Sequence, residues 1–246
     1  MTAAAHQVLY ASNLRKVWAD GVRHIDILVE ELTLYDGDFL AVTGPSGSGK
    51  STVLDILSLV LRPTKGATLM IDDGKGLRDV TPLLLAQDET ALAQLRARVF
   101  GYIVQTSELI PFLTVRENCV LQQSISGRGG LDELSSLAKA LDVDGLYDAF
   151  PADISVGQRQ RVAVVRALCG TPRIVLADEP TAAQDPQLKD SVIDLLRMAT
   201  TRGTAVIMVT HDVDLVARHN LTEIRNAGSV NGNSWVSRFH DTRIAS

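Results

Sequence analysis

Gly44-Pro45-Ser46-Gly47-Ser48-Gly49-Lys50-Ser51 fits the pattern G-x-x-x-x-G-K-[ST]. Its glycines let successive backbone N–H groups turn toward one phosphate, Lys50 adds a mobile point charge, and a helix starting at the end of the loop would add positive potential. The Ser51 hydroxyl is suited to a magnesium ion. A Gly/Ser-rich surface loop is the plain alternative, but an apolar run, Phe39 to Thr43, precedes the motif and a helical pattern follows it. A second candidate is Asp178-Glu179, which closes the apolar run that begins at Arg173. Open α/β sheets bind ligands at the carboxyl ends of their strands. There Asp178 can support magnesium, and Glu179 can orient and polarise a water that attacks a phosphoryl group. An isolated acidic pair is ordinarily just a solvated strand end; its placement after the phosphate loop gives it weight.

Ile154-Ser155-Val156-Gly157-Gln158-Arg159-Gln160-Arg161-Val162-Ala163 resembles the ABC (ATP-binding cassette) signature LSGGQ-x-QRVA. With that segment the chain is similar to the ATP-binding subunits of ABC systems over most of its length, to about Asn226. The resemblance implies ATP and Mg2+ as ligands. It implies that Trp18 stacks on adenine and that Gly44, Pro45, Ser46, Gly47, Ser48, Gly49, Lys50, Ser51 and Thr52 hold the phosphates. Ser155, Gly157 and Gln158 would serve the nucleotide of a second copy. Ser51, Gln105 and Asp178 would surround the metal, and Glu179, His211, Lys50 and Gln105 would carry hydrolysis. Gln105 follows the strand pattern Phe100 to Val104 and matches the family's Q-loop. Ala182-Ala183-Gln184-Asp185 stands at the D-loop, where Gln184 replaces the usual leucine. Val156 replaces the first signature glycine, and a β-branched side chain there restricts the backbone at the expected seam.

The segments Ala91 to Arg96, Phe100 to Gln105 and Leu109 to Asn118 are similar to the macrolide-exporter and lipoprotein-release group. That branch implies a four-span membrane partner with an extracytoplasmic domain, moved by closure of an ATP-sandwich dimer. Leu109, Ile110, Phe112 and Leu113 could line a groove for the partner or belong to the core. A transport-free signalling complex of the cell-division type could use the same cassette. A soluble ABC protein acting on nucleic acid is the more distant alternative.

The elements that must position these groups follow from periodicity. Phe39–Thr43, Arg173–Ala177 and Ala205–Thr210 are apolar runs expected as buried parallel strands. Val53, Ile56, Leu57, Val60 and Leu61 mark one helix face, ended by Pro63 and Gly66. Asp185 can cap a helix that begins at Pro186 and carries Leu188, Val192, Leu195 and Leu196 as its stripe. Leu131 to Leu141 is another expected helix. The first 35 residues alternate more like antiparallel strands, although Leu28, Glu30 and Leu32 do not by themselves exclude a helix. Beyond Leu221 the residues Asn226, Gly228, Asn231, Gly232 and Asn233 suggest turns. The expected fold is α/β: a P-loop NTPase (RecA-like) core with a parallel sheet, an antiparallel β-subdomain and a helical signature subdomain. The whole chain would be one domain, with 1–104, 105–160 and 161–246 as its parts. Asp72 to Asp88 is long for a simple connection and has no expected role.

Twenty-four basic and 29 acidic residues, a net charge of −5, are mixed along the 246-residue chain, so no basic stripe favours nucleic acid. Cys119 and Cys169 lack metal-ligand spacing and suit free thiols in a reducing compartment. Neither a signal segment nor an apolar run of spanning length is evident. The expected location is the cytoplasmic face of the inner membrane, peripherally bound.

Overall fold

In the computed structural model, residues 6–19, 24–64, 66–106, 108–182, 186–231, 234–240 and 243 are described. Two β-rich halves share one sheet, and their different connections explain their different sequence patterns. In the first, β1 (Gln7–Ala19) and β2 (His24–Tyr35) pair antiparallel, β4 (Thr68–Asp72) joins β1, and β5 (Leu77–Asp79) joins β4. In the second, β3 (Phe39–Thr43), β6 (Phe100–Ile103), β7 (Ile174–Asp178), β8 (Ala205–Val209) and β9 (Thr222–Asn231) are mutually parallel. Strand β10 (Ser234–His240) is the seam, antiparallel to β9 and parallel to β2. The order across the sheet is β5-β4-β1-β2-β10-β9-β3-β8-β7-β6.

Alternation along the parallel strands divides the interior in two. Leu40, Val42, Ile174, Leu176, Ile207 and Val209 face a core shared with α1 (Lys50–Leu57), α3 (Glu89–Val99) and the antiparallel strands. Ala41, Val175, Ala177, Val206 and Met208 face the other way, toward α4 (Val115–Ser126), α5 (Leu131–Ala140), α6 (Val156–Cys169) and α7 (Pro186–Thr201). Both faces are covered, which is why these strands read as unbroken apolar runs.

Several boundaries differ from the sequence reading. Helix α1 stops at Leu57, because Leu59 takes φ 65° and the N–H groups of Val60 and Leu61 both turn back to the Asp55 carbonyl. Leu59 is thereby buried, while Val60, expected on the apolar face, is 60% exposed. Asn226, Gly228 and Asn231 do not mark turns: they lie in β9, which pairs with β10, while Gly232 and Asn233 fall outside the described residues. Leu188 is only half-buried in α7, whereas Val192, Leu195 and Leu196 are buried as expected. Residues 72–88 form the hairpin strand β5 and a short helix, α2 (Thr81–Ala86). Asp72 anchors this insertion, accepting from the N–H groups of Gly74 and Gly76 and from Arg173. Ala183, Gln184 and Asp185 fall outside the described residues. Among those described, no helix is long and apolar enough to cross a membrane.

Candidate nucleotide site

Four parallel strands deliver the candidate side chains because the chain leaves all four at the same end of the sheet. Strand β3 runs into the Gly44–Gly49 loop, β6 into Gln105, β7 into Asp178 and Glu179, and β8 into His211. Their ends frame a cleft of about 640 Å³ lined by Ser46, Gly47, Gly49, Lys50, Ser51, Thr52, Gln105, Asp178, Glu179, Val209 and His211. Gly49 must be glycine: at φ 88° an added Cβ would fall 2.2 Å from Ile27 Cδ1. As the N-cap of α1 it offers no side-chain cap, so the N–H groups of the first helical turn are left for a ligand. Lys50 Nζ donates to the carbonyls of Gly44 and Pro45, each at 2.9 Å. Burial lowers its pKa, opposed by the charges of Glu179 and Asp178.

Asp178 is buried. Burial raises its pKa, a Ser51 hydrogen bond and Lys50 pull it down, and the nearby carboxylates Glu179 and Asp55 push it further up. Its Oδ1 is buried without a hydrogen-bond partner among the described residues. An orphaned carboxylate oxygen beside a serine hydroxyl, with Gln105 on the same cleft, fits a hard divalent cation with few protein ligands. The described residues hold no cluster of three or more His, Cys, Asp or Glu that would cage an ion alone.

Glu179 occupies the left-handed region, φ 50°, which is costly for a residue with a side chain. Its N–H donates to the Val209 carbonyl and its own carbonyl accepts from Gln160 Nε2, each at 3.0 Å. These bonds hold the strained turn and aim the carboxylate at His211, whose Nδ1 lies 2.7 Å from Oε1. Sequence reasoning missed Gln160 as part of this site; it lies in the signature segment, but nothing in the spacing says that its side chain reaches Glu179. It equally missed Tyr102, whose hydroxyl donates to Asp55 on α1 at 2.7 Å. Burial, with Asp55 adding to it, drives the Tyr102 pKa far up.

Ser155, Gly157 and Gln158 do not line this cleft. Ser155 caps α6: its Oγ accepts from the Gln158 N–H at 3.2 Å, and Gln158 Oε1 accepts the Ser155 N–H at 2.8 Å. Gln158 thus spends its side-chain oxygen on the cap. Val156, at the helix start, is 59% exposed. Trp18, 39% exposed near the end of β1 with Lys16 Nζ 5.5 Å from its ring, is also outside the cleft lining. Gly44 lies on the strand side of the loop, Pro45 is exposed, and Ser48 is buried beneath it. Of the proposed groove residues, Leu109 is core, Phe112 is exposed, and Ile110 lines a separate groove of about 350 Å³ with Val60, Leu121, Ile125 and Arg166.

Comparison with known proteins bears on the same segments. A family model described as ABC transporter matches residues 30–182. The lipoprotein-releasing system ATP-binding protein LolD of Shewanella denitrificans is 36% identical over 223 residues, 89% of this chain and 92% of that protein. YknY, an ABC transporter ATP-binding protein of Bacillus subtilis, is 32% identical over 212 residues, 85% of this chain and 88% of its own. The macrolide export ATP-binding/permease protein MacB of Mannheimia succiniciproducens is 34% identical over 89% of this chain, which spans 33% of that longer protein. Among solved structures, the ATP-binding cassette MJ0796, a dimer bound to ADP and Pi, superposes with a TM-score of 0.77 at 29% identity, covering 92% of this chain and 95% of the other.

Proposed function

The chain belongs to the ABC transporter family as an ATP-binding subunit, and on that premise we propose that it hydrolyses Mg-ATP as a dimer to move a membrane partner. The observation that carries this reading is the single cleft that gathers Lys50, Ser51, Gln105, Asp178, Glu179 and His211 while leaving Ser155 and Gly157 outside it. A half-site of that kind is completed by the signature of a second copy. Two copies would then enclose two nucleotides, each between one phosphate loop and the other chain's Ser155 and Gly157. The likeness of MJ0796 supports the arrangement.

Lys50 and the N–H groups of residues 46–51 hold the phosphate tail and offset its charge. Asp178, Ser51 and Gln105 are the groups that would hold magnesium, which would supply charge neutralisation to the phosphate tail. Glu179 orients the attacking water and takes up its proton, while His211, hydrogen-bonded to Glu179, contacts the γ-phosphate. Trp18 would stack on the base when the first strand pair approaches it, a contact worth about 1–3 kcal/mol. The parts 1–104, 105–160 and 161–246 all contribute to the one cleft: Lys50 and Ser51 come from the first, Gln105 from the second, and Asp178, Glu179 and His211 from the third.

The likeness to LolD and MacB supports a mechanotransmission partner: a four-span protein with an extracytoplasmic domain, which would place this subunit at the cytoplasmic face of the membrane. The groove containing Ile110 suits its coupling element. The lining has exposed apolar residues, Val60 and Ile125, two arginines, Arg96 and Arg166, and no acidic residue. Phosphate release from Mg-ATP by the purified chain, abolished in Lys50→Ala, tests the enzymatic half. Absence of Mg-ATP binding to the wild-type chain would refute it. Co-purification with a four-span membrane protein tests the other half, and a six-span permease in its place would overturn the branch.

A further inference from the structure

The phosphate loop rests on three strands that its motif does not name. Ile27 of β2 fills the space beneath Gly49. Ser237 of β10 is fully buried and donates from Oγ to the Ser48 carbonyl at 2.6 Å. Asn226 of β9 lies against Gly44, where an added Cβ would come within 2.9 Å of Asn226 Cβ and 3.3 Å of Ser48 Oγ. Strand register sets this arrangement: Ser237 is opposite Ile27 across β10–β2, and Arg225 is opposite Thr43 across β9–β3. The next residue of β9, Asn226, therefore meets the first residue of the loop.

The polar groups at this contact are unusual. Asn226 Oδ1, Asn226 Nδ2 and Ser48 Oγ are all buried and have no hydrogen-bond partner among the described residues. A leucine of similar size would occupy the Asn226 position without leaving an amide unpaired. Buried polar groups without partners call for an explanation, and sites of function are where local rules are broken. The end of the loop that Asn226 touches is also where Lys50 bonds the Gly44 and Pro45 carbonyls.

We propose that Asn226 and Ser237 are positioning residues of the nucleotide site, acting on the phosphate loop from behind. Ser237 fixes the path of the loop at Ser48. Asn226 supports Gly44, and its amide bonds the Ser48 hydroxyl as the loop tightens around a phosphate. The C-terminal strand pair is thereby part of the ATP site, although none of its residues lines the cleft. This inference rests on the ATP-binding reading above.

Asn226→Leu and Ser237→Ala test it, with Mg-ATP titration by calorimetry, steady-state kinetics, and thermal melting without nucleotide. Asn226→Leu is expected to melt at or above the wild-type temperature yet to bind Mg-ATP about fivefold more weakly, the scale of one neutral hydrogen bond. In Ser237→Ala the KM for ATP is expected to rise about fivefold while kcat changes less, the mark of a binding rather than a chemical role. Unchanged affinity in Asn226→Leu, or weaker affinity together with a lower melting temperature, overturns the role of Asn226. An unchanged KM in Ser237→Ala overturns the role of Ser237, whether or not the leucine variant folds. A wild-type chain that fails to bind Mg-ATP would instead refute the nucleotide reading itself, and Lys50→Ala supplies the non-binding reference.

Discussion

Glu179→Gln isolates the chemical step because the structure lets everything around that carboxyl group stay in place. The backbone bonds that hold φ 50°, to the Val209 carbonyl and from Gln160, do not involve the carboxyl group. A glutamine fills the same volume and can meet His211 Nδ1 with either its oxygen or its amide nitrogen, according to the imidazole tautomer. The fold should therefore tolerate the change, with a melting shift of about 2–4 °C or less, equivalent to 1 kcal/mol for a chain of this size. What is lost is the base that orients and deprotonates water. Such a group contributes about 10²–10⁴ in rate, or about 3–5 kcal/mol of barrier. Removing a negative charge from a cleft that receives a phosphate tail leaves nucleotide affinity equal or tighter. The expected result is Mg-ATP binding at wild-type strength or better, hydrolysis reduced by about 10²–10⁴, and a dimer that accumulates with ATP on a sizing column. Turnover within about tenfold of wild type would refute the assignment of Glu179 as the base, and loss of binding would refute the reasoning that its role is confined to the chemical step.

Asp178→Asn should raise the melting temperature of the nucleotide-free chain at neutral pH. A group whose folded pKa is raised stabilises the fold only below its unfolded value and loses that contribution as pH rises through the folded one. The same variant should lose the magnesium dependence of ATP binding, seen by titration with and without the ion. Asp72→Ala should cost about 1–3 kcal/mol, because it leaves the Gly74 and Gly76 N–H groups without their acceptor at a buried position and leaves Arg173 only the longer contact with Asp36 at 3.8 Å. That corresponds to a fall of about 2–12 °C in thermal melting. Burial pushes the Asp72 carboxyl pKa up, but His6, the Gly74 and Gly76 N–H groups and Arg173 together hold it low. Its stabilising contribution is therefore present above the unfolded value of about 4 and lost as pH falls through the folded one, so Asp72→Ala should flatten the acid limb of the stability curve. Val156→Gly should strengthen the ATP-dependent dimer in sedimentation, since it removes an exposed β-branched side chain from the expected seam at little cost to the α6 cap.

The strand, loop and helix around Lys50 were legible because every part of the motif lies within one local stretch of chain, where spacing implies geometry. The covered parallel strands were legible for a similar reason: burial on both faces leaves an apolar run. Helix α1 was read too long because Val60 and Leu61 keep the apolar spacing after Leu59 has already left helical dihedrals. Asn226, Gly228 and Asn231 of β9 read as turn residues because Asn and Gly in a strand look like loop residues until their neighbours are known.

By itself the sequence determined which residues can meet a phosphate and that two carboxylates close a buried strand, since these depend on contacts between near neighbours in the chain. It also carried the family's signature segment. Only the tertiary structure decided that Gln160 braces the Glu179 carbonyl, that Asp72 pins an insertion to Arg173, and that Asn226 and Ser237 support the phosphate loop. Those contacts join residues 19 to 189 positions apart. Their existence depends on strand order and register, which no local spacing encodes.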